Sequence, residues 1–261
     1  MTDKIISRRD DAVGHVVFNN PEKRNAVSLD MWQAFERALD QCAADDEIRV
    51  VVLSGAGGRA FVSGADISKF ADERSSAEAV AHYDLTTARI FAKLHAFPKP
   101  TIAQITGSCV GGGVALAACC DLRICGQSSR FAIPAAKLGV GYGFAGLQRL
   151  VDLIGPAFAK EMLFTARLFS AAEAYEMGLV NRVVADEEVE GRVAEYASAI
   201  AVNAPLTVGA VKAIVGEVLK DLSERDLARC DELVRACFAS RDYIEGREAF
   251  LEKRPPRFIG A

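Results

Sequence analysis

Metal chemistry has little to work with in this 261-residue chain, whose only histidines, His15, His82 and His95, are too far apart in sequence to suggest a ligand cluster. Seven cysteines are present, an odd number with no CxxC pair and several inside apolar runs, so neither a zinc cage nor a disulfide framework is indicated. Reduced, buried thiols in a cytoplasmic protein are the expectation, and Cys109 among apolar neighbours reads as inert rather than nucleophilic. An excess of positive charge is also missing. With 31 basic against 35 acidic residues the net charge is −4, which argues against a nucleic-acid or anionic-membrane partner. The longest apolar run, Cys109 to Cys120, is too short and glycine-rich to span a bilayer, and the opening MTDKIISRRDDA lacks the apolar core of a secretory signal. No GxSxG occurs, so a hydrolase nucleophile elbow is unsupported.

What is present is core material. Hydrophobic residues make up 51% of the chain, and short β-branched runs alternate with helical patterns. Strands are predicted at HVVF (15–18), RVVVLSG (49–55), TIAQITG (101–107) and DLRICG (121–126), with helices over 28–44, 77–96 and the segment entered through Gly111-Gly112-Gly113. That alternation implies an α/β fold with parallel pairing, and sites at strand ends. From about Pro156 the pattern turns helical apart from LVNRVV, with amphipathic stretches over 187–202, 205–220 and 222–239. This second part has no glycine-rich site and reads as a packing or assembly layer.

Three motifs carry chemistry. The glycine triplet starts a helix, where unpaired amides and the positive end of the dipole can face an anion, although tight packing explains glycine equally well. In Arg59-Ala-Phe-Val-Ser-Gly-Ala-Asp-Ile67, Gly64 permits a strained turn that could aim the Ala65 amide into the same pocket. Two such donors make an oxyanion hole, each worth about 3 kcal/mol at the transition state. Gly141-Tyr-Gly-Phe-Ala-Gly146 is a literal GxGxxG, but Pro134-Ala-Ala-Lys-Leu rather than a strand precedes it. A pocket-shaping loop around Tyr142 is the better reading.

NPEKRNAVS (20–28), AFVSGADISKF (60–70), GSCVGGGVALAACCDLRI (107–124), FAIPAAKLGVGYGFAGLQRL (131–150) and AFLEKRPPRF (249–258) together resemble the crotonase, or enoyl-CoA hydratase/isomerase, superfamily. The resemblance implies a ClpP/crotonase-like spiral of β-β-α turns over 1–195, with a helical trimerisation region over 196–261. It also implies acyl-CoA thioester substrates of the kind met in fatty acid metabolism, no resident cofactor, and assembly as a homotrimer or a dimer of trimers. On the same basis the oxyanion amides are Ala65 and Gly112. The CoA contacts fall at Lys23, Arg24, Ala26, Ser63, Asp66, Ile67, Lys69 and Gly111, with Lys253 at a neighbouring subunit's CoA.

One departure matters more than these matches. Hydratases of this family place glutamates three residues after the oxyanion glycine and after the proline of the next strand, where this chain has Ala115 and Ala135. Alanine moves no proton. An oxyanion hole without a base suits loss of carbon dioxide from a malonyl-type thioester, because the enolate then forms without proton abstraction. LGVGYGFAG (138–146) and the tail from Arg241 resemble the methylmalonyl-CoA decarboxylase branch, whose active-site tyrosine falls on Tyr142, although that branch has a histidine where this chain has Ala65. The alternatives are a hydratase or isomerase with a relocated acid or base at Asp66, Glu73 or His82, and a catalytically silent acyl-CoA-binding protein.

Overall fold

The computed structural model describes residues 3–73 and 75–261. The chain opens on an antiparallel hairpin, β1 (Ile5–Asp10) and β2 (Val13–Phe18). Helix α1 (Leu29–Ala44) follows, burying Met31, Trp32, Phe35, Ala38, Leu39 and Cys42 along one stripe at helical spacing. Then a unit repeats: a strand in one sheet, a short strand in a second sheet, and a helix. The first repeat is β3 (Val50–Gly55), β4 (Ala60–Val62), α2 (Phe70–Glu73) and α3 (Ala77–His95). The second is β5 (Thr101–Ile105), β6 (Ser108–Val110) and α4 (Gly112–Cys119), and the third is β7 (Leu122–Gly126), β8 (Arg130–Ala132), α5 (Ala135–Leu138) and α6 (Phe144–Thr165). After these come β9 (Phe169–Ser170), α7 (Ala171–Glu176), β10 (Arg182–Val184), α8 (Val189–Ala201), α9 (Pro205–Val218), α10 (Leu227–Ala239) and α11 (Arg241–Glu252).

The six-stranded sheet runs β1-β2-β3-β5-β7-β10, parallel from β2 onward, and the four-stranded sheet runs β4-β6-β8-β9, parallel through β8. Each turn of the resulting spiral adds one strand to each sheet. Val50, Val51, Val52 and Leu53 of β3 are all buried, as a strand covered on both faces requires. On one face lies the main core, in which Phe18, Trp32, Phe35 and Phe61 meet edge-on or tilted. On the other, α8 lays Val189, Val193 and Ala197 over Val50, Val52, Ile102 and Ile124. The expected division at 195/196 falls inside this helix. Among the described residues no single helix is long and apolar enough to cross a membrane.

Strands β2, β3, β5 and β7 and the helices α1 and α3 lie where the sequence places them, whereas β1 was not expected. The helical region starts earlier than Pro156, at Phe144, because Gly155 with φ +71° breaks α6 and Pro156 opens its second half, a position proline favours. It is also not free of a second strand, since β9 pairs with β8.

Candidate active site

Each glycine of the triplet has its own reason. Gly111 sits at φ +56°, turning the chain from β6 into α4, and its N–H donates to Ala132 O at 2.8 Å. A Cβ at Gly113 would lie 2.1 Å from Val62 O, so the helix can pack on β4 only without one. At Gly112 nothing structural requires glycine: a Cβ there would have ordinary contacts, 3.7 Å to Trp32 and 3.9 Å to Gly64. Gly112 is the first residue of α4, so its N–H has no partner within the helix. Arg123 fixes the other end of α4, donating to Ala117 O and Cys120 O.

Ala65 is held by an isolated parallel bridge to Val27. In that bridge Val27 N donates to Gly64 O and Asp66 N donates to Val27 O, both at 2.9 Å. The N–H of Ala65 therefore points to the opposite side, away from Val27, which a parallel ladder requires. Gly64, at φ +106°, makes the turn, and a Cβ there would lie 3.8 Å from Gly112 N. Because β4 pairs with β6, the segments that follow them run side by side.

Both positions open on one cavity of about 470 Å³. Ser63, Ala65, Ile67, Gly111, Gly112, Ala115, Ala135 and Tyr142 all line it, so both alanines that replace the expected glutamates are on its wall. Trp32, Phe70 and Phe91 give it an apolar lining, with Phe91 edge-on to Trp32 at 5.2 Å. Burial, with the neighbouring Cys119, pushes the Tyr142 hydroxyl up to about 12. It is therefore a hydrogen-bond donor throughout the neutral range. Gly141, Gly143 and Gly146 of the GxGxxG also line the cavity, after α5 rather than a strand, and a Cβ at Gly146 would lie 2.9 Å from the Tyr142 ring. Two unpaired N–H groups facing such a space can hold a negatively charged oxygen.

The carboxylates named from sequence are occupied elsewhere. Burial would raise the Asp66 carboxyl, but hydrogen bonds from Ser68 and Lys23 outweigh it and hold it below the usual carboxylate range. Its oxygens accept from Ser68 N, Ser68 Oγ and Lys23 Nζ at 3.1, 2.6 and 2.9 Å. Glu73 Oε1 accepts from Leu29 N at 2.9 Å, capping α1. His82 is exposed and outside the cavity wall. Cys109 is fully buried, and burial drives its thiol well above the ordinary value, as an inert cysteine requires.

Lys23, Arg24 and Ala26 belong to a turn beside the Ser63–Ile67 wall, joined to it by Lys23 Nζ to Ser68 Oγ at 2.7 Å and by Ser63 Oγ to Lys23 O at 3.3 Å. Asn25, buried at φ +56°, braces that turn by donating to Ala56 O and Ala60 O and accepting from Asn20 N. Lys69 is exposed on the short turn after Asp66, and Lys253 ends α11 at φ +55°, away from this cavity. Two charged residues on the wall escaped the sequence reading: Asp84 on α3 and Arg149 on α6. For Asp84 the helical spacing to Phe91 was the available signal. Arg149 had none beyond its place in the GLQRL run.

Taken with the spiral, this site defines a member of the crotonase-fold enzymes of acyl-CoA chemistry. The enoyl-CoA hydratase/isomerase family profile matches residues 8–261, and the chain belongs to that family. It is similar to the crotonyl-CoA hydratase of Syntrophomonas wolfei, 35% identical over 98% of both chains. A short-chain-enoyl-CoA hydratase of Clostridium acetobutylicum is 34% identical over 96% of this chain and 95% of that one. Among solved structures, an enoyl-CoA hydratase/carnithine racemase from Magnetospirillum magneticum superimposes with a TM-score of 0.93, at 38% identity over 100% of this chain and 97% of the other.

Proposed function

We propose that this enzyme is an acyl-CoA lyase that removes carbon dioxide from a malonyl-type thioester, on the methylmalonyl-CoA decarboxylase-like branch of its family. The observation that carries the reading is that Ala115 and Ala135 both line the cavity beside Ala65 and Gly112, so the wall lacks the glutamate pair a hydratase uses. In the reaction the bond from Cα to the carboxylate breaks and its electron pair moves into the thioester, where the enolate oxygen accepts from the Ala65 and Gly112 N–H groups. Tyr142 donates to the departing carboxylate and holds it out of the thioester plane, so that the breaking bond overlaps the carbonyl π-system. A proton from solvent then closes Cα. CoA is part of the substrate, its phosphates met by Lys23, Arg24 and Lys69, and no resident cofactor takes part. Incubation with malonyl-, methylmalonyl- and ethylmalonyl-CoA should give the decarboxylated thioester by mass spectrometry, and no conversion of any would overturn the reading.

A second reading rests on Asp84, a carboxylate on the cavity wall, and on relatives named as hydratases. Here Asp84 adds or removes the proton, and crotonyl-CoA loses its enone absorbance. Abolition of that activity by Asp84→Asn would select it.

The exposed apolar residues Val211, Val215, Val218, Phe238, Phe250 and Leu251 support assembly of the C-terminal helices into a trimer or a dimer of trimers. In that assembly Lys253 would reach a neighbouring subunit's CoA. Sedimentation of a monomer would refute both.

A further inference from the structure

Arg149 brings to the cavity a positive charge with one N–H unpartnered among the described residues. Arg149 lines it together with Ala118 and Cys119, and its Nη1 is buried with no hydrogen-bond partner among the described residues. Nor does its guanidinium form an ion pair there, even with Asp152 one turn on along α6. A guanidinium keeps its charge at any working pH, so this charge cannot be shed, and a buried N–H without an acceptor is disfavoured.

Asp84 shares the cavity wall, and Asp121 and Asp152 act on the nearby His95, but none of them forms an ion pair with Arg149 among the described residues. His95 is held below its ordinary pKa by burial first and by the Arg149 charge second, and burial pushes the Cys119 thiol up to about 11. Both are neutral at pH 7, so neither answers the Arg149 charge, and the buried Nη1 is open to an anion carried by the ligand. Cys119 lies seven residues beyond Gly112 on α4, about 10 Å along the helix axis. The anion therefore sits several carbons beyond the thioester carbonyl. It is not the carboxylate lost from Cα, since pairing that group with a guanidinium would keep charge where the reaction has to remove it.

We propose that Arg149 is the specificity residue for an acyl group that ends in a carboxylate, so that the cavity takes the CoA thioester of a dicarboxylic acid. Its far carboxylate accepts both hydrogen bonds of the guanidinium fork. The assignment rests on the reading that the thioester carbonyl lies between Ala65 and Gly112, and it holds whichever bond breaks at Cα.

Calorimetric titration with hexanoyl-CoA and its ω-carboxylated counterpart adipoyl-CoA tests it, since neither carries a malonyl carboxylate or an enoyl bond to react. The wild-type protein should prefer adipoyl-CoA by about tenfold or more. In Arg149→Met that ratio should fall to one or below, and Arg149→Lys should keep part of it. Equal or tighter binding of hexanoyl-CoA by the wild type overturns the assignment. So does a ratio unchanged in Arg149→Met with both affinities lowered alike, the mark of a purely structural arginine. Failure of both thioesters to bind overturns the thioester reading itself, an outcome distinct from both binding without preference.

Discussion

Val27 and Ala65 are paired by two backbone hydrogen bonds, and that single bridge decides which way the Ala65 amide faces. Val27 ends the turn that Asn25 braces, so the direction of a prospective oxyanion donor depends on a buried asparagine well removed from it in sequence.

Asn25→Ala tests this dependence. The change strands the carbonyls of Ala56 and Ala60 and places alanine at φ +56°, where asparagine is better tolerated. Loss of about 2–4 kcal/mol of stability is expected from the stranded groups and the backbone strain, measured by denaturant unfolding. Turnover should fall further than CoA-thioester binding in whatever protein stays folded.

Gly112 and Gly113 should respond in opposite ways. Proline is tolerated at the first position of a helix, so Gly112→Pro deletes one N–H while leaving α4 formed. Turnover should drop about 10²- to 10³-fold with the melting temperature nearly unchanged. Gly113→Ala drives a methyl group into Val62 O and should cost about 1–3 kcal/mol or more of stability. A stable, inactive Gly113→Ala beside an active Gly112→Pro would refute the oxyanion role given to Gly112.

Restoring the missing acids should change the reaction. Ala115→Glu with Ala135→Glu puts two carboxylates on the cavity wall, and a positioned acid or base is worth about 10²–10⁴ in rate. Hydration of crotonyl-CoA should rise above the wild-type level, read by loss of enone absorbance, while decarboxylation falls as the wall becomes negative.

Tyr142 sets an alkaline limit. Burial pushes its hydroxyl up to about 12 in the folded protein, from an ordinary 10.0. The folded state therefore keeps a proton that the unfolded state has lost across that window, and stability should decline as pH rises from about 10 to 12. Tyr142→Phe should flatten that decline, remove a late-ionising phenol from an absorbance titration, and lower decarboxylation without a matching loss of thioester affinity.

Sequence patterning was enough for β2, β3, β5 and β7, because five or six residues rich in apolar and β-branched side chains, bounded by turn signals, leave a pattern. Strands β4, β6 and β8 have three residues each, too few for any period, so the second sheet was illegible. The turns at Gly64 and at the glycine triplet were nonetheless readable, since glycine marks backbone geometry directly. Asp66 and Glu73 show the reverse: their types suggested proton transfer, but Asp66 accepts from Ser68 N in its own turn and Glu73 from Leu29 N across the fold, the second a pairing only three-dimensional proximity reveals. Arg149 escaped for a related reason, as the absence of a partner is a property of space rather than of spacing.

The pairing of β4 with β6 makes the sheet itself the gauge of the proposed oxyanion site. Ala65 and Gly112 follow adjacent strands, so the gap between their nitrogens is tied to an interstrand distance of about 4.8 Å, a quantity the backbone ladder fixes for any sequence. Loops and helices joining successive turns can lengthen or shorten without retuning that gap. The side chains that α3 to α6 set around the cavity are then free to drift while the spacing of the two proposed oxyanion donors stays constant.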